Sequence, residues 1–365
     1  MSLEILQIVP RLPPAINGVG DYAYLLARQL RAAHNIHTRF LVCDPSWEGE
    51  LEIEAFSVEK LQAQQATELT EKLSKKIMPQ TVLLHYVGYG YEKRGCPFWL
   101  KEGLEAWRKS NANHRLVVMF HELYASGPFW TSAFWLSSLQ KRLAASIARL
   151  SDSCLTNRQA YAETLKALSH NKHSSIATLP VFSNVGEPEQ IPLPLKDRKR
   201  RLIVFGSDTN RLRVYKESLS ALELICRALA IVEIFDVGPP MGLSISNINS
   251  TPVIQTGQRS AVEITALLSD AVAGFFNYNP AFLAKSGIFA AYSAHRLIPI
   301  TAQCNGSRAD DLELGKHYWA ANSHDEILSQ ADWQEIADNA YAWYQTHKLS
   351  KHVKTFASLV GYPND

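Results

Sequence analysis

Basic side chains gather beside a glycine at one place in the chain, where Gly206, Ser207, Arg211, Arg213 and Lys216 follow a short apolar run. Gly206 lets backbone approach a ligand closely, and the three cations suit a diphosphate near a helix N-terminus; the plainer reading is a solvent-facing basic helix start. Lys285, Ser286 and Gly287 open a second helix, where an anion site or a simple cap from Ser286 both fit. Gly18, Val19, Gly20 and Asp21 open a third. There the glycines expose backbone N–H groups, and Asp21 is either an N-cap or a ligand-facing carboxylate. His121 and Glu122 follow an apolar strand and could contact substrate or move a proton, although a histidine so placed is as often structural. His85 and Tyr86 end another strand before a glycine and aromatic loop that could stack on a sugar or base, or form an internal cluster.

Gly18, Gly20 and Ala23 also satisfy the dinucleotide pattern G-x-G-x-x-G/A, with Asp44 closing a strand further on. That pattern needs its glycines directly after the strand, whereas eight residues, with the three prolines Pro10, Pro13 and Pro14, separate Val9 from Gly18. The spacing argues against a nicotinamide or flavin cofactor.

Elements must position these groups, and their pattern is alternating. Leu3–Val9 is a short, almost continuous apolar run of the kind buried on both faces of a parallel sheet. A helix over 22–33, a strand over 38–43, a helix over 58–75, a strand over 81–86, a helix over 97–109 and a strand over 116–120 follow. After a proline-bearing stretch with Pro188, Pro192 and Pro194 the alternation restarts. Strands are expected over 201–205, 232–235, 252–255, 271–276 and 297–301, and helices over 216–230, 260–269, 287–295 and 332–360. Strands alternating with helices predict right-handed crossovers and parallel sheets. The expected architecture is α/β with two Rossmann-like, doubly wound domains facing a cleft. The boundaries read as 1–185 for the first domain, 186–200 for a linker, 201–330 for the second, and 331–365 for helices packing across the junction.

The chain has 365 residues, enough for two cores. It carries 37 basic and 35 acidic residues, a net of +2, which gives no field to collect nucleic acid. One basic cluster, Lys196 with Arg198, Lys199, Arg200 and Arg201, reads as a solvated linker end. Peripheral membrane contact is left open. Cysteines 43, 96, 154, 226 and 304 are scattered and unpaired in pattern, which predicts neither disulfides nor a metal site. With no secretory start and no long apolar segment, the expected location is the cytoplasm. Oligomeric state is not legible.

The loops resemble those of the retaining glycosyltransferases of the GT-B fold that use nucleotide-sugar donors. The resemblance rests on Pro10-x-x-Pro13-Pro14-x-x-x-Gly18-Val19-Gly20-Asp21-Tyr22, on His121 with Glu122, on Gly206 with Arg213 and Lys216, and on the passage from Gly257 to Phe276. It implies a metal-independent transferase without a resident cofactor, the nucleotide sugar being a substrate. Arg213 and Lys216 would clamp the leaving diphosphate, with Gly206, Ser207, Arg211, Lys285, Ser286 and Gly287 around the donor. His121 would touch the transferring sugar, and the loop from Gly18 to Asp21 would border the acceptor. That family places two glutamates where Ala284 and Tyr292 stand here. A glycosyltransferase-like protein without catalysis, serving as a binding or regulatory subunit, is therefore the alternative, and a dinucleotide-dependent oxidoreductase the third.

Overall fold

The computed structural model describes residues 3–75, 80–125, 127–303, 308–321 and 330–361; Cys304 lies outside them. The chain divides into two compact units, Met1–Pro180 with Leu349–Asp365, and Val181–Lys348.

In the first unit the elements run β1 (Leu3–Val9), α1 (Gly18–His34), β2 (Ile36–Val42), β3 (Glu52–Ile53), β4 (Phe56–Lys60), α2 (Ala66–Ser74), β5 (Thr81–Tyr86), α3 (Gly88–Tyr91), α4 (Phe98–Ser110), β6 (Arg115–Phe120), α5 (Ser132–Leu150), β7 (Ser153–Thr156), α6 (Gln159–Leu168) and β8 (Ala177–Thr178). The sheet order is β3-β4-β2-β1-β5-β6-β7-β8, parallel except for β3 on β4. The chain winds outward from β1 on one side and then crosses to β5 on the other. Between β1 and β5 the winding reverses, and such switch points are where doubly wound sheets bind ligands.

The second unit repeats the scheme with β9 (Lys199–Phe205), α7 (Asp208–Glu217), α8 (Leu219–Ala228), β10 (Glu233–Val237), β11 (Asn247–Ile248), β12 (Thr251–Gly257), α9 (Ala261–Ser269), β13 (Ala271–Phe276), α10 (Gly287–Ala294), β14 (Ile298–Thr301), β15 (Trp319–Ala320) and α11 (Gln330–Gln345). Its order is β11-β12-β10-β9-β13-β14-β15, with the switch between β9 and β13. The last helix, α12 (Leu349–Val360), returns to the first unit and packs on α1.

Sequence explains most of these elements. Helix α1 buries Tyr22, Ala23, Leu26, Ala27 and Leu30, a stripe at three- and four-residue spacing. Ala23 and Ala27 pack against Val9, Phe40 and Val42 of the sheet. Opposite, Leu104 and Trp107 of α4 join Leu6, Ile8 and Leu84, so both faces are covered and the strands read as continuous apolar runs. Trp107 is fully buried, and truncating it to alanine should cost about 3–5 kcal/mol. In the second unit Leu202, Val204, Ile234, Val272 and Phe275 form the sheet's share of the core.

Several expectations need correction. The helix expected over 58–75 begins only at Ala66, because Phe56, Val58 and Lys60 alternate with Ser57 and Glu59, the period of a strand. Residues 216–230 form the end of α7 and a separate α8, broken at Ser218. The basic cluster is a solvated linker end only in part, since Lys196 and Lys199 are exposed but two of its arginines are not. Arg198 is buried and donates to the carbonyls of Leu193, Ala271 and His295, while Arg201 pairs with Glu233 at 2.6 Å. These two arginines satisfy backbone and acid groups at the entry to β9.

Candidate functional site

At the switch point of the second unit two helix starts converge. Gly206 ends β9 with φ +137, a conformation that favours glycine. A Cβ there would lie 2.8 Å from Ile288 Cδ1 in the first turn of α10, so the glycine allows the end of β9 to touch that helix. Ser207 caps α7, its hydroxyl accepting from Asn210 N at 3.3 Å. Ser286 caps α10, its buried hydroxyl accepting from Phe289 N at 3.2 Å. The backbone N–H groups at both helix starts therefore face the carboxyl ends of the neighbouring strands β9 and β13. Gly287 is half-buried, and a Cβ there would make one ordinary contact, with Asn184 Nδ2 at 3.8 Å, and no clash. Lys285 Nζ lies 5.3 Å from the Phe282 ring centroid.

Arg213 and Lys216, three residues apart on α7, share a helix face and are both exposed, with no ion pair among the described residues. Arg211 has a different role. It is 2% exposed, pairs with the equally buried Asp236 at 2.6 Å, and donates to the carbonyls of Gly206 (3.1 Å) and Pro239. Its charge is satisfied inside the unit, so it shapes the turn at Gly206 and is not free for a ligand.

The corresponding place in the first unit is built from other groups. Asn17, not Asp21, caps α1, its side chain accepting from Val19 N (3.1 Å) and Gly20 N (2.9 Å). The reason is position: Asp21 already lies within the helix, donating its N–H to Asn17 O. Gly18 is exposed and Val19 half-buried. Gly20 is needed for contact, because a Cβ would come within 2.1 Å of Arg11 O. Burial pushes the carboxyl of Asp21 up to about 7.

His121 leaves β6 with its N–H donating to Tyr86 O (2.9 Å) and its carbonyl accepting from Asn157 Nδ2 (3.2 Å). Its ring stacks on His85 and meets Tyr22 edge-on. The network fixes the tautomers. Gln7 Oε1 accepts from His85 Nε2 at 2.8 Å, which leaves His85 Nδ1 as an acceptor, so His121 Nε2 donates to it at 3.1 Å. Burial holds the pKa of His85 well below the usual range, so that imidazole is neutral. His85 and Tyr86 are fully buried and have no surface for a substrate, which corrects the expectation that they contact one; in the loop that follows, Tyr91 is buried whereas Tyr89 is exposed. Glu122 is half-buried.

Asn157 and Arg158 follow β7, a strand with no counterpart among the expected ones. Both are buried at a strand's carboxyl end, and Arg158 lies over the Tyr161 ring at 4.9 Å. The short run Ser153–Thr156 is the only local signal for it.

No protein-family model matches the chain, and no curated protein matches it by sequence. Solved structures match across its length. The chain is similar to the N-terminal domain of Candida albicans trehalose-6-phosphate phosphatase at 12% identity and TM-score 0.63, covering 100% of this chain and 98% of that one. It is similar to an alpha-glucosyltransferase in complex with UDP at 11% identity and TM-score 0.55, covering 98% and 99%. WaaG, a glycosyltransferase involved in lipopolysaccharide biosynthesis, matches at 15% identity and TM-score 0.54, covering 98% and 100%. The fold is that of the GT-B glycosyltransferases, two Rossmann-like α/β units.

Proposed function

We propose that the protein transfers a sugar from a nucleoside-diphosphate donor to an acceptor hydroxyl, with the donor's diphosphate at the switch point of the second unit. The observation that carries this reading is the convergence of the α7 and α10 starts at Gly206 and Gly287, with two exposed cations further along α7, Arg213 in its middle and Lys216 in its last turn. Backbone N–H groups and two cations would hold the diphosphate and stabilise its charge as it leaves the sugar, and such stabilisation is usually the main source of rate in this chemistry. Ser207, Ser286 and Lys285 support the same group, and Arg211 acts through the turn it braces. In the first unit, His121 is the sugar contact, Glu122 borders it, and the loop from Gly18 to Asp21 borders the acceptor. A carboxyl at Asp21 that titrates near neutrality can take the acceptor's proton. The reaction needs no resident metal or cofactor in this reading, and retention of configuration follows from the family resemblance alone.

A second reading has its own observation. Tyr292, where the resemblance places a glutamate, is fully buried; its hydroxyl donates to Ile203 O at 3.0 Å and accepts from Phe205 N at 3.2 Å. Ala284, at the other glutamate position, is also buried. Neither supplies a carboxylate to a donor sugar, which favours a protein that binds nucleotide sugars without turning them over.

Thermal unfolding in the presence of UDP, GDP, ADP, NAD and their sugar conjugates tests both, since a ligand bound only by the native state raises Tm. Transfer predicts stabilisation by one nucleotide sugar, lost in Arg213→Ala or Lys216→Ala, together with release of the free nucleotide over time. Stabilisation without release supports the binding reading. No shift with any nucleotide sugar overturns both, and a shift with NAD alone revives the oxidoreductase.

A further inference from the structure

The first two turns of α5 and the loop before them carry an aromatic surface that the fold does not use. Trp130 and Trp135 are each 73% exposed, Phe129 66%, and Phe134 is exposed as well. They form two edge-to-face pairs, Phe129 with Trp130 at 4.8 Å and Phe134 with Trp135 at 5.4 Å between centroids. The helix divides along its length. Its later turns bury Ala144, Ile147 and Ala148 in the unit's core, while its first turns put rings into water. Four large exposed rings within seven positions mark an interaction surface.

The segment is held in place. Thr131 caps α5, accepting from Phe134 N, and donates to Pro128 O at 2.7 Å. Buried Gln140 accepts from Ala125 N at 2.8 Å and donates to Arg94 O at 2.9 Å and Tyr89 Oη at 3.1 Å, tying the 89–95 loop to the same helix.

Charge selects the occupant. From Leu123 to Ser151 the sequence contains no Asp or Glu, yet it holds Lys141, Arg142 and Arg149. Lys93 and Arg94, both exposed, add two cations from the tied loop, against one acid, Glu92. Lys141 and Arg142 follow Phe134 and Trp135 by seven positions and so continue the same helix face; exposed aromatics with a surplus of cations match the boundary of an anionic bilayer, where indole rings sit at headgroup level and each basic residue adds attraction. No helix among the described residues is long and apolar enough to cross a membrane, so contact through this surface would be peripheral.

We propose that this aromatic and basic surface docks the protein on anionic lipid. The inference does not depend on the transfer reading. The test is co-sedimentation of the full chain with phosphatidylcholine vesicles, with and without about one quarter phosphatidylglycerol. Binding is expected with phosphatidylglycerol and to be much weaker without it. Trp130→Ser with Trp135→Ser should weaken binding by about tenfold or more, since two large apolar surfaces no longer leave water. Lys141→Glu with Arg142→Glu should abolish the preference for the anionic lipid. The changed residues are exposed, so the circular dichroism spectrum and Tm of both variants should match the parent. Failure to bind either vesicle, or binding unchanged in the tryptophan variant, overturns the proposal. So does concentration-dependent self-association that the tryptophan variant relieves, which would make a second copy of the chain the occupant. Nucleotide-induced stabilisation should be unchanged in both variants, which keeps this test separate from that of the donor site.

Discussion

The two units share one winding and differ in what they place at its reversal. In the first unit the strand ends around β1 and β5 carry the buried His85 and Tyr86, a ring of His121 that donates to His85, and the Asn17 cap of α1. In the second unit the equivalent ends open onto two helix starts, with room for a Cβ at Gly287 and unopposed cations on α7. The same topology thus yields a more densely packed end and a more open one. What decides between them is the chemistry of a few loop residues, which fold alone does not determine.

The largest effect that can break this comparison comes from two arginines two positions apart. Arg211→Ala should destabilise the protein by about 3–5 kcal/mol, because Asp236 would remain as a buried, unpaired charge. Arg213→Ala should shift stability by no more than about 0.5 kcal/mol, as exposed substitutions do. Urea unfolding followed by circular dichroism separates the two; similar losses would show that α7 presents no ligand-facing cation.

Acid should reach the second unit through His295. That imidazole is buried, its Nδ1 donates to Ala291 O at 2.8 Å, and burial lowers its pKa to about 4. The unfolded chain binds this proton near pH 6.5, so the stabilising difference is fully present above that value. It is lost as pH falls toward 4, by about 3 kcal/mol in total. His85, also lowered by burial, acts with the same sign in the first unit. Urea midpoints measured from about pH 7 to about pH 4 should therefore fall, and the slope should lessen in His295→Gln.

The smallest effects compare two glycines. Gly20→Ala places a methyl against Arg11 O and should cost about 1–3 kcal/mol. Gly287→Ala meets no clash and should change stability by less than about 0.5 kcal/mol while weakening nucleotide stabilisation. Equal losses in Tm would remove the distinction between a more densely packed end and a more open one.

How far the sequence anticipated this depended on local pattern. Leu3–Val9, Thr81–Tyr86 and Ala271–Phe276 are strands with the expected bounds, because continuous apolar runs flanked by turns have few other solutions. Helix α5 was not expected because Phe129, Trp130, Phe134 and Trp135, apolar but exposed, blur the stripe that its later turns carry. β7, four residues between α5 and α6, carries little signal of its own, so the sequence does not mark Asn157 and Arg158 at its end either. Within the candidate site, Gly206, Ser207, Ser286 and Gly287 were legible as strand-to-helix loops. The division of labour between Arg211 and Arg213 was not, since it depends on Asp236, which approaches Arg211 only once β10 pairs with β9. Likewise, nothing local distinguishes the buried His85 from a ligand-facing histidine; its partner Gln7 comes from another strand.

The ring of Tyr292 occupies the space that a side chain at Gly274 would need, with ring atoms 2.4 Å from the place of a Cβ. Positions 274 and 292 are therefore not independent. A carboxylate introduced at 292 alone would leave a void beside Gly274 and an acid facing the carbonyls of Ile203 and Phe275. A change at 274 alone would collide with the ring. Either change alone is therefore expected to weaken the second unit, so a carboxylate at 292 becomes compatible with the core only together with a side chain at 274 that refills the space of the ring.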